Sequence, residues 1–488
     1  MEEPVKDRLA TTDEFGDRVY IYVAEVKGFF RKHRNWTQAI LILFFLIMPW
    51  IKINGEQGIL LSLPERKFSF FGLVFYAHDG PLIFFILAIS AIGLALVTAI
   101  WGRVWCGWAC PQTVFIDGVF RRIEYWIEGH HIQRRQLDEA PFSSQKFFKK
   151  LFKWILFFII ATIIAHSFIA YFVGAENLVK MISHTPSENW VDFLIVSGIS
   201  LILLFDFGWF REQFCFIVCP YGRFQSVLLD NNSMNVMYDE KRGEPRKGSL
   251  KKIKPLELGI PNQTLNQNSE QEKEGDCVNC KRCIMVCPTG IDIRRGLQME
   301  CIHCTACIDA CDEIMEKVKK PKGLIRYSST AEMQGEKRII WNFRTILYSF
   351  LILGAFSILT YKITTREDLH WVMLREKTTP YRILDGQESG FIINQFKAHI
   401  RNQTHSEMKI HFHLKDDAVL NQSAKLIQQA TEIILKPGES QTHLLFIKFN
   451  KEMTKGTGQN PIPVEADYEL DGKQFKHEQT AKLLGPLS

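Results

Sequence analysis

Eight of the twelve cysteines fall between Cys277 and Cys311, in CVNCKRCIMVCPTGIDIRRGLQMECIHCTACIDAC. They form two copies of the spacing C-x2-C-x2-C-x3-C, which is the pattern of a holder for two 4Fe-4S clusters. Three closely spaced thiolates wrap one cluster, and the fourth cysteine of each copy reaches across to the other, because one local turn cannot present all four sulfurs to one cube. This predicts Cys277, Cys280, Cys283 and Cys311 at one cluster, and Cys301, Cys304, Cys307 and Cys287 at its neighbour. Pro288 follows the last cysteine of the first copy, whereas Asp312 takes that place in the second. A structural zinc site would use two C-x2-C pairs with a longer spacer, and a disulfide framework gives no reason for the duplication. The chemistry of such a centre is single-electron transfer.

The other four cysteines form a second pattern. Trp105 to Pro111 reads WCGWACP and Phe214 to Pro220 reads FCFIVCP, so C-x3-C-P occurs twice. Cysteines four apart share one helix face about 5.4 Å apart along the axis, so each pair can offer two sulfurs to a common ligand. The following proline is expected to end or redirect the helix. A lone cysteine is often just a small buried hydrophobe. Two identically spaced pairs are not explained that way. Thiolates suit Cu(I), zinc or an iron-sulfur cluster, and the same pairs could instead cycle between dithiol and disulfide.

Three weaker candidates follow. His166 lies within an apolar stretch and Asp206 near the end of another, where polar groups are functional suspects as haem, quinone or metal contacts, or simply interhelical bonds. His411 and His413 alternate with Met408, Ile410 and Phe412, which places the histidines on the polar face of a strand; a copper site is conceivable there, but a solvated face is the expectation. No glycine-rich nucleotide loop is evident, which argues against direct NAD(P)H or ATP chemistry.

These residues need a membrane scaffold. The chain is 488 residues long with 37 phenylalanines, and its near-zero mean hydropathy averages apolar runs with charged segments. The net charge of +6 flanks apolar runs without forming an aromatic-lined groove, so nucleic acid is not an expected partner. Residues 1–36 read as a polar, basic lead-in with no cleavable signal. Five spans follow, at Thr37 to Ile53, Pro81 to Trp101, Trp154 to Val173, Val191 to Phe210 and Trp341 to Ile363, so residues 37–230 form a four-span region and 339–363 the fifth span.

Lysine and arginine crowd the segment from Gly102 to Lys150 and are sparse from Asn54 to Gly80 and from Gly174 to Trp190, which places the N-terminus and the ferredoxin (276–330) in the cytoplasm. Residues 231–275 read as a polar tether. Asp312 to Ser329 reads as a short helix broken at Pro321 and then a strand, GLIRY. Residues 364–488 alternate apolar and polar with turn signals at Pro437-Gly438 and Asp471-Gly472, as about seven short strands of an immunoglobulin-like sandwich on the periplasmic side. The expected fold is thus a multi-domain membrane protein: an α-helical transmembrane bundle, an inserted two-cluster ferredoxin-like α+β domain and a C-terminal all-β sandwich.

With these residues in view, the chain resembles the cytochrome c oxidase accessory proteins of the FixG/CcoG group, bacterial inner-membrane polyferredoxins. The likeness is carried by Cys287 to Ser329, by WGRVWCGWACPQTVFID (Trp101 to Asp117) and by CPYGRFQSVLLD (Cys219 to Asp230). The resemblance implies a role in maturing cbb3-type cytochrome oxidase, with Cu(II) reduced to Cu(I) for its copper centre. Copper ions, membrane lipid, oxidase subunits or assembly factors and an unidentified electron donor would then be its partners. Cys106, Cys110, Cys215 and Cys219 would be the residues that meet copper. Two other classes stay open: a quinone-linked electron-transfer subunit for a partner reductase, and a non-redox assembly scaffold.

Overall fold

The computed structural model describes residues 11–12, 15, 17–76, 79–247, 274–376, 381–384, 390–415, 424–470 and 472–486. It divides into two compact units, Met1–Thr360 and Tyr361–Ser488.

Among the described residues, four helices are long and apolar enough to cross a membrane: Gly80–Trp101, Ser144–Val173, Trp190–Phe210 and Phe343–Thr364. Their outward faces carry unpartnered phenylalanine, leucine and isoleucine, as lipid contact requires. The chain is a multi-pass membrane protein. The expected first span is different in kind. Helix α1 (Phe29–Ile47) starts eight residues before Thr37, and the chain then turns through a short 3-10 helix at Met48–Trp50. Its first half is charged because Arg31 and Arg34 are spent inside the protein on Asp117. The second half packs Ile42 and Phe45 beside Phe115 and Phe157. Charge pairing with a residue distant in sequence is invisible to hydropathy, so the charged half of the helix lay outside the expected span.

Helix α2 (Gly80–Trp101) ends at Gly102, whose φ of 62° breaks the helix and turns the chain into α3 (Val104–Trp108), α4 (Pro111–Phe115), a π-helical turn at Ile116–Phe120 and α5 (Arg121–Glu128). A charged helix α6 (His131–Glu139) leads into α7 (Ser144–Val173), which begins ten residues before the expected span, its N-terminus capped by Ser143. Helix α8 (Trp190–Phe205) runs into a second π-helical turn, Asp206–Phe210, then α9 (Gln213–Ile217) and α10 (Pro220–Leu228). The chain therefore builds the same device twice.

Most of the expected tether, 248–273, lies outside the described residues. The part that is described corrects the boundary. Asn235–Tyr238 (β1) pairs antiparallel with Ile325–Ser328 (β2), so the ferredoxin domain begins before the first cysteine and closes with the predicted GLIRY strand. Between them lie α11 (Arg282–Met285) and α12 (Ala306–Lys317). The helix predicted after Asp312 is the second half of α12 and ends before Pro321. The N-terminal lead-in is also not free. The Asp309 carboxylate accepts from the backbone N–H groups of Phe30 (3.2 Å) and Arg31 (2.7 Å), capping α1 from the ferredoxin. Ala24 N–H donates to the Met285 carbonyl at 2.8 Å.

The second unit is a two-sheet sandwich. Its strands are β3 (Leu369–Arg375), β4 (Phe391–Asn402), β5 (Met408–Leu414), β6 (Ala424–Gln428), β7 (Ile433–Leu435), β8 (Ser440–Asn450), β9 (Gln459–Leu470) and β10 (Lys473–Leu484). One sheet runs β6-β8-β4-β3, with the two-residue strand Arg382–Ile383 on β4, and the other runs β7-β5-β9-β10. Among the described residues, nine strands stand against the expected seven, because strands of two or three residues leave no period-2 signal. Trp371, Phe396, Phe412, Ile447, Phe449 and Val464 fill the space between the sheets. Leu470 pairs with Lys473; of the expected Asp471-Gly472 turn between them, Asp471 lies outside the described residues.

Candidate functional site

The eight ferredoxin cysteines divide between two cavities. Cys277, Cys280, Cys283 and Cys311 line one, and Cys287, Cys301, Cys304 and Cys307 line the other, with Cys283 at the wall between them. The sulfurs group as the crossed pattern requires. The backbone repeats as well: Asn279 and Lys281 in the first copy, and His303 and Thr305 in the second, all have φ between 54° and 63°. Left-handed residues on either side of the second cysteine curl the main chain, a turn that points N–H groups inward toward an anionic centre. Lys281 and Thr305 then start α11 and α12, which carry the third cysteine of each copy.

Burial pushes the thiols up, Cys283, Cys301 and Cys311 to about 12 and Cys287 to about 11. Desolvated thiols crowded around an enclosed space are poor as free acids and good as ligands to a cationic iron centre. The donor set and the cavities fit two 4Fe-4S clusters, and each set can supply four thiolates.

The other four cysteines also converge. Each of Cys106, Cys110, Cys215 and Cys219 acts electrostatically on the other three. The mechanism of convergence corrects the helix-face expectation. Cys106 lies in α3 and Cys215 in α9, but both helices end before the second cysteine, and Cys110 and Cys219 are extended N-cap residues with ψ of 127° and 113°. The prolines open new helices at N1, where a missing N–H costs nothing. In both motifs the second cysteine's N–H donates at 2.8 Å to the carbonyl of the residue preceding the first, Trp105 or Phe214. Burial raises Cys106 to about 11 against the opposing Gln225 amide, which donates to its sulfur at 2.9 Å. Burial and then Glu212 raise Cys215 further.

The two centres touch through their loops. A methyl group on Gly107 would lie 2.6 Å from the carbonyl oxygens of both Ile302 and His303, the residues between Cys301 and Cys304. His303 is buried and held down to about 3 by burial and then by Arg103, so its ring is neutral. Its Nδ1 accepts the Arg103 N–H at 3.0 Å, which leaves the proton on Nε2.

The weaker candidates do not join this site. His166 bonds its own helix, with Nδ1 2.7 Å from the Thr162 carbonyl. Asp206 accepts from Gln112 Nε2 at 2.9 Å and so ties the first motif to the turn before the second. His411 and His413 do face away from the sandwich core, His413 beside Glu465 (3.2 Å) and Asp467 (3.6 Å). Arg103, Gln225 and His303 were missed by sequence reasoning. His303 sits inside the cysteine repeat and Arg103 just ahead of a motif, yet a lone polar residue carries no signal of what it touches.

Family comparison agrees with this arrangement. A model for a 4Fe-4S dicluster domain matches residues 210–330, one for a 4Fe-4S binding domain matches 82–131, and one for the IG-like fold at the C-terminus of FixG matches 359–486. Protein RdxB of Cereibacter sphaeroides is 31% identical over 451 residues, 90% of each chain. Protein RdxA of the same organism is 29% identical over 84% of this chain and 85% of its own. Nitrogen fixation protein FixG of Rhizobium meliloti is 34% identical over 64% of this chain and 57% of its own. With two cysteine-lined cavities, a membrane bundle and the matching C-terminal sandwich in one chain, the protein belongs to the FixG/RdxAB family of membrane polyferredoxins.

Proposed function

We propose that this iron-sulfur electron-transfer protein reduces Cu(II) to Cu(I), with Cys106, Cys110, Cys215 and Cys219 as the site that meets the copper substrate. In this reading Cys277, Cys280, Cys283 and Cys311 hold one 4Fe-4S cluster, and Cys287, Cys301, Cys304 and Cys307 the other. A bound cluster supplies one electron at a time. Each Cu(II) takes one electron and leaves as Cu(I), and a reduced cluster is oxidised by one electron in return. The observation that supports the reading is the contact of Gly107, beside Cys106, with the backbone between Cys301 and Cys304. Four thiolates crowded together repel one another, and a soft cation relieves that repulsion. The Cu(I) would serve assembly of a cbb3-type oxidase, with the ferredoxin cytoplasmic and the sandwich periplasmic.

The test is anaerobic mixing of the reduced protein with Cu(II), following cluster reoxidation and Cu(I) formation together. Serine at any one of the four cysteines should suppress both while leaving about eight irons per chain. A second reading, that the four cysteines hold a third cluster, draws on the 4Fe-4S binding-domain match over 82–131. An iron count near twelve, falling on Cys106→Ser, would put that reading in its place.

A further inference from the structure

Arg103 stands where three loops meet. It lies three residues before Cys106, its backbone N–H reaches His303 between Cys301 and Cys304, and its guanidinium donates to the carbonyl of Met299, just ahead of Cys301, and to that of Gly222, just past Cys219 (3.3 Å). One side chain thus joins both C-x3-C-P motifs to one ferredoxin loop. The side chain is 4% exposed, and both Cys106 and Cys301 lie within reach of its charge. Its hydrogen-bond acceptors are carbonyls, and the Glu300 carboxylate acts on it from beyond ion-pair distance; a buried cation acts on nearby sulfur in a medium that screens poorly. The other cavity has a different arginine. Arg294 acts on Cys277 and Cys283, but its charge is already met by the Asp292 carboxylate, which it grips at 2.8 Å through both Nε and Nη2.

We propose that Arg103 is a positioning residue that couples the two centres: it holds the four-cysteine loops against the ferredoxin and raises the potential of the centre on Cys287, Cys301, Cys304 and Cys307 alone. The identity of the acceptor, copper, rests on the function proposed above; the effect on one cluster does not. Adding an electron makes a cluster more negative, so a buried cation beside it stabilises the reduced form. The centre on Cys277, Cys280, Cys283 and Cys311 faces a different arginine, Arg294, which is already paired with Asp292. The guanidinium fork has a second task, because two carbonyls from different loops are spanned by one planar group. A lysine keeps the charge and loses the fork.

The full-length protein with Arg103→Met and Arg103→Lys decides this, by redox titration of both clusters and by single-turnover reoxidation with Cu(II). Arg103→Met should make one of the two cluster potentials more negative, leave the other in place, and slow reoxidation despite the larger driving force, because the motif loops are no longer held against the ferredoxin. Arg103→Lys should keep both potentials near wild type and still slow reoxidation. Equal shifts of both clusters, or no shift at full iron content, would overturn the electrostatic role. A wild-type reoxidation rate in Arg103→Lys would overturn the positioning role, and this variant decides the matter even if Arg103→Met loses iron. Should wild-type protein fail to reduce copper, the copper reading falls, while the one-cluster shift still judges Arg103.

Discussion

Replacing Gly107 with alanine tests the contact on which the proposed electron path depends. Gly107 lies within α3, so alanine suits its backbone and would by helix propensity alone stabilise by about 1 kcal/mol. The new methyl would stand 2.6 Å from two carbonyl oxygens of Ile302 and His303, about 0.8 Å inside the 3.4 Å at which ordinary contact begins. Both obstacles are backbone, and the residues on either side of them are the expected cluster ligands Cys301 and Cys304, so neither can swing aside as a side chain would. Overpacking of this kind costs about 1–3 kcal/mol, and against backbone obstacles the upper end applies, so that after the propensity gain the net loss is up to roughly 2 kcal/mol. Gly93 provides the control, since a methyl there meets nothing within 4 Å. Thermal unfolding in detergent, followed by loss of cluster absorbance, should show Gly107→Ala melting below wild type and Gly93→Ala not. Copper-dependent reoxidation should slow in the first alone, because the motif loop is pushed off the ferredoxin. If Gly107→Ala melts no lower than Gly93→Ala and reoxidises at the wild-type rate, the two loops do not pack as described.

Three further outcomes are expected. Cys287→Ser should disturb the cluster whose other ligands are Cys301, Cys304 and Cys307, although Cys287 belongs to the first sequence repeat; iron analysis and the spectrum of the surviving cluster report which one is lost. For Asp117, burial favours the neutral acid but is outweighed by Arg34, Arg31 and Arg121, which hold the carboxyl well below its ordinary range. That stability is full above the unfolded carboxyl value of about 3.9 and is lost as pH falls below it. Asp117→Asn should therefore destabilise by about 3–5 kcal/mol at pH 7, leaving Arg31 and Arg34 without a carboxylate partner while Arg121 keeps Glu212, and should flatten the acid limb of the stability profile. Finally, an impermeant thiol reagent should label a cysteine placed at Gly438 in intact cells and one placed at Gln267 only after lysis; the reverse would invert the proposed orientation.

Some of this protein is written locally and some is not. The two groups of four ferredoxin cysteines were legible because two repeats of one spacing are strictly local. Four of the spans were legible because lipid demands a continuous apolar run, and hydropathy measures that directly. The sandwich was legible from period-2 alternation, except for strands too short to show a period. Helix α1 escaped because its arginines are satisfied by Asp117, 86 and 83 positions away along the chain, and no local window sees a partner at that distance. The C-x3-C-P motifs were read as single helix faces. Tertiary structure instead ends each helix between its cysteines, so that the prolines can start new helices and all four sulfurs can meet. The same distance in sequence hid Arg103: its acceptors at Gly222 and Met299 lie 119 and 196 positions away. Residue type and spacing determined which chemistry this chain can carry, because ligand sets and apolar runs are short-range. Which sulfurs face one another, and which arginine stands between them, was decided only when the chain closed on itself.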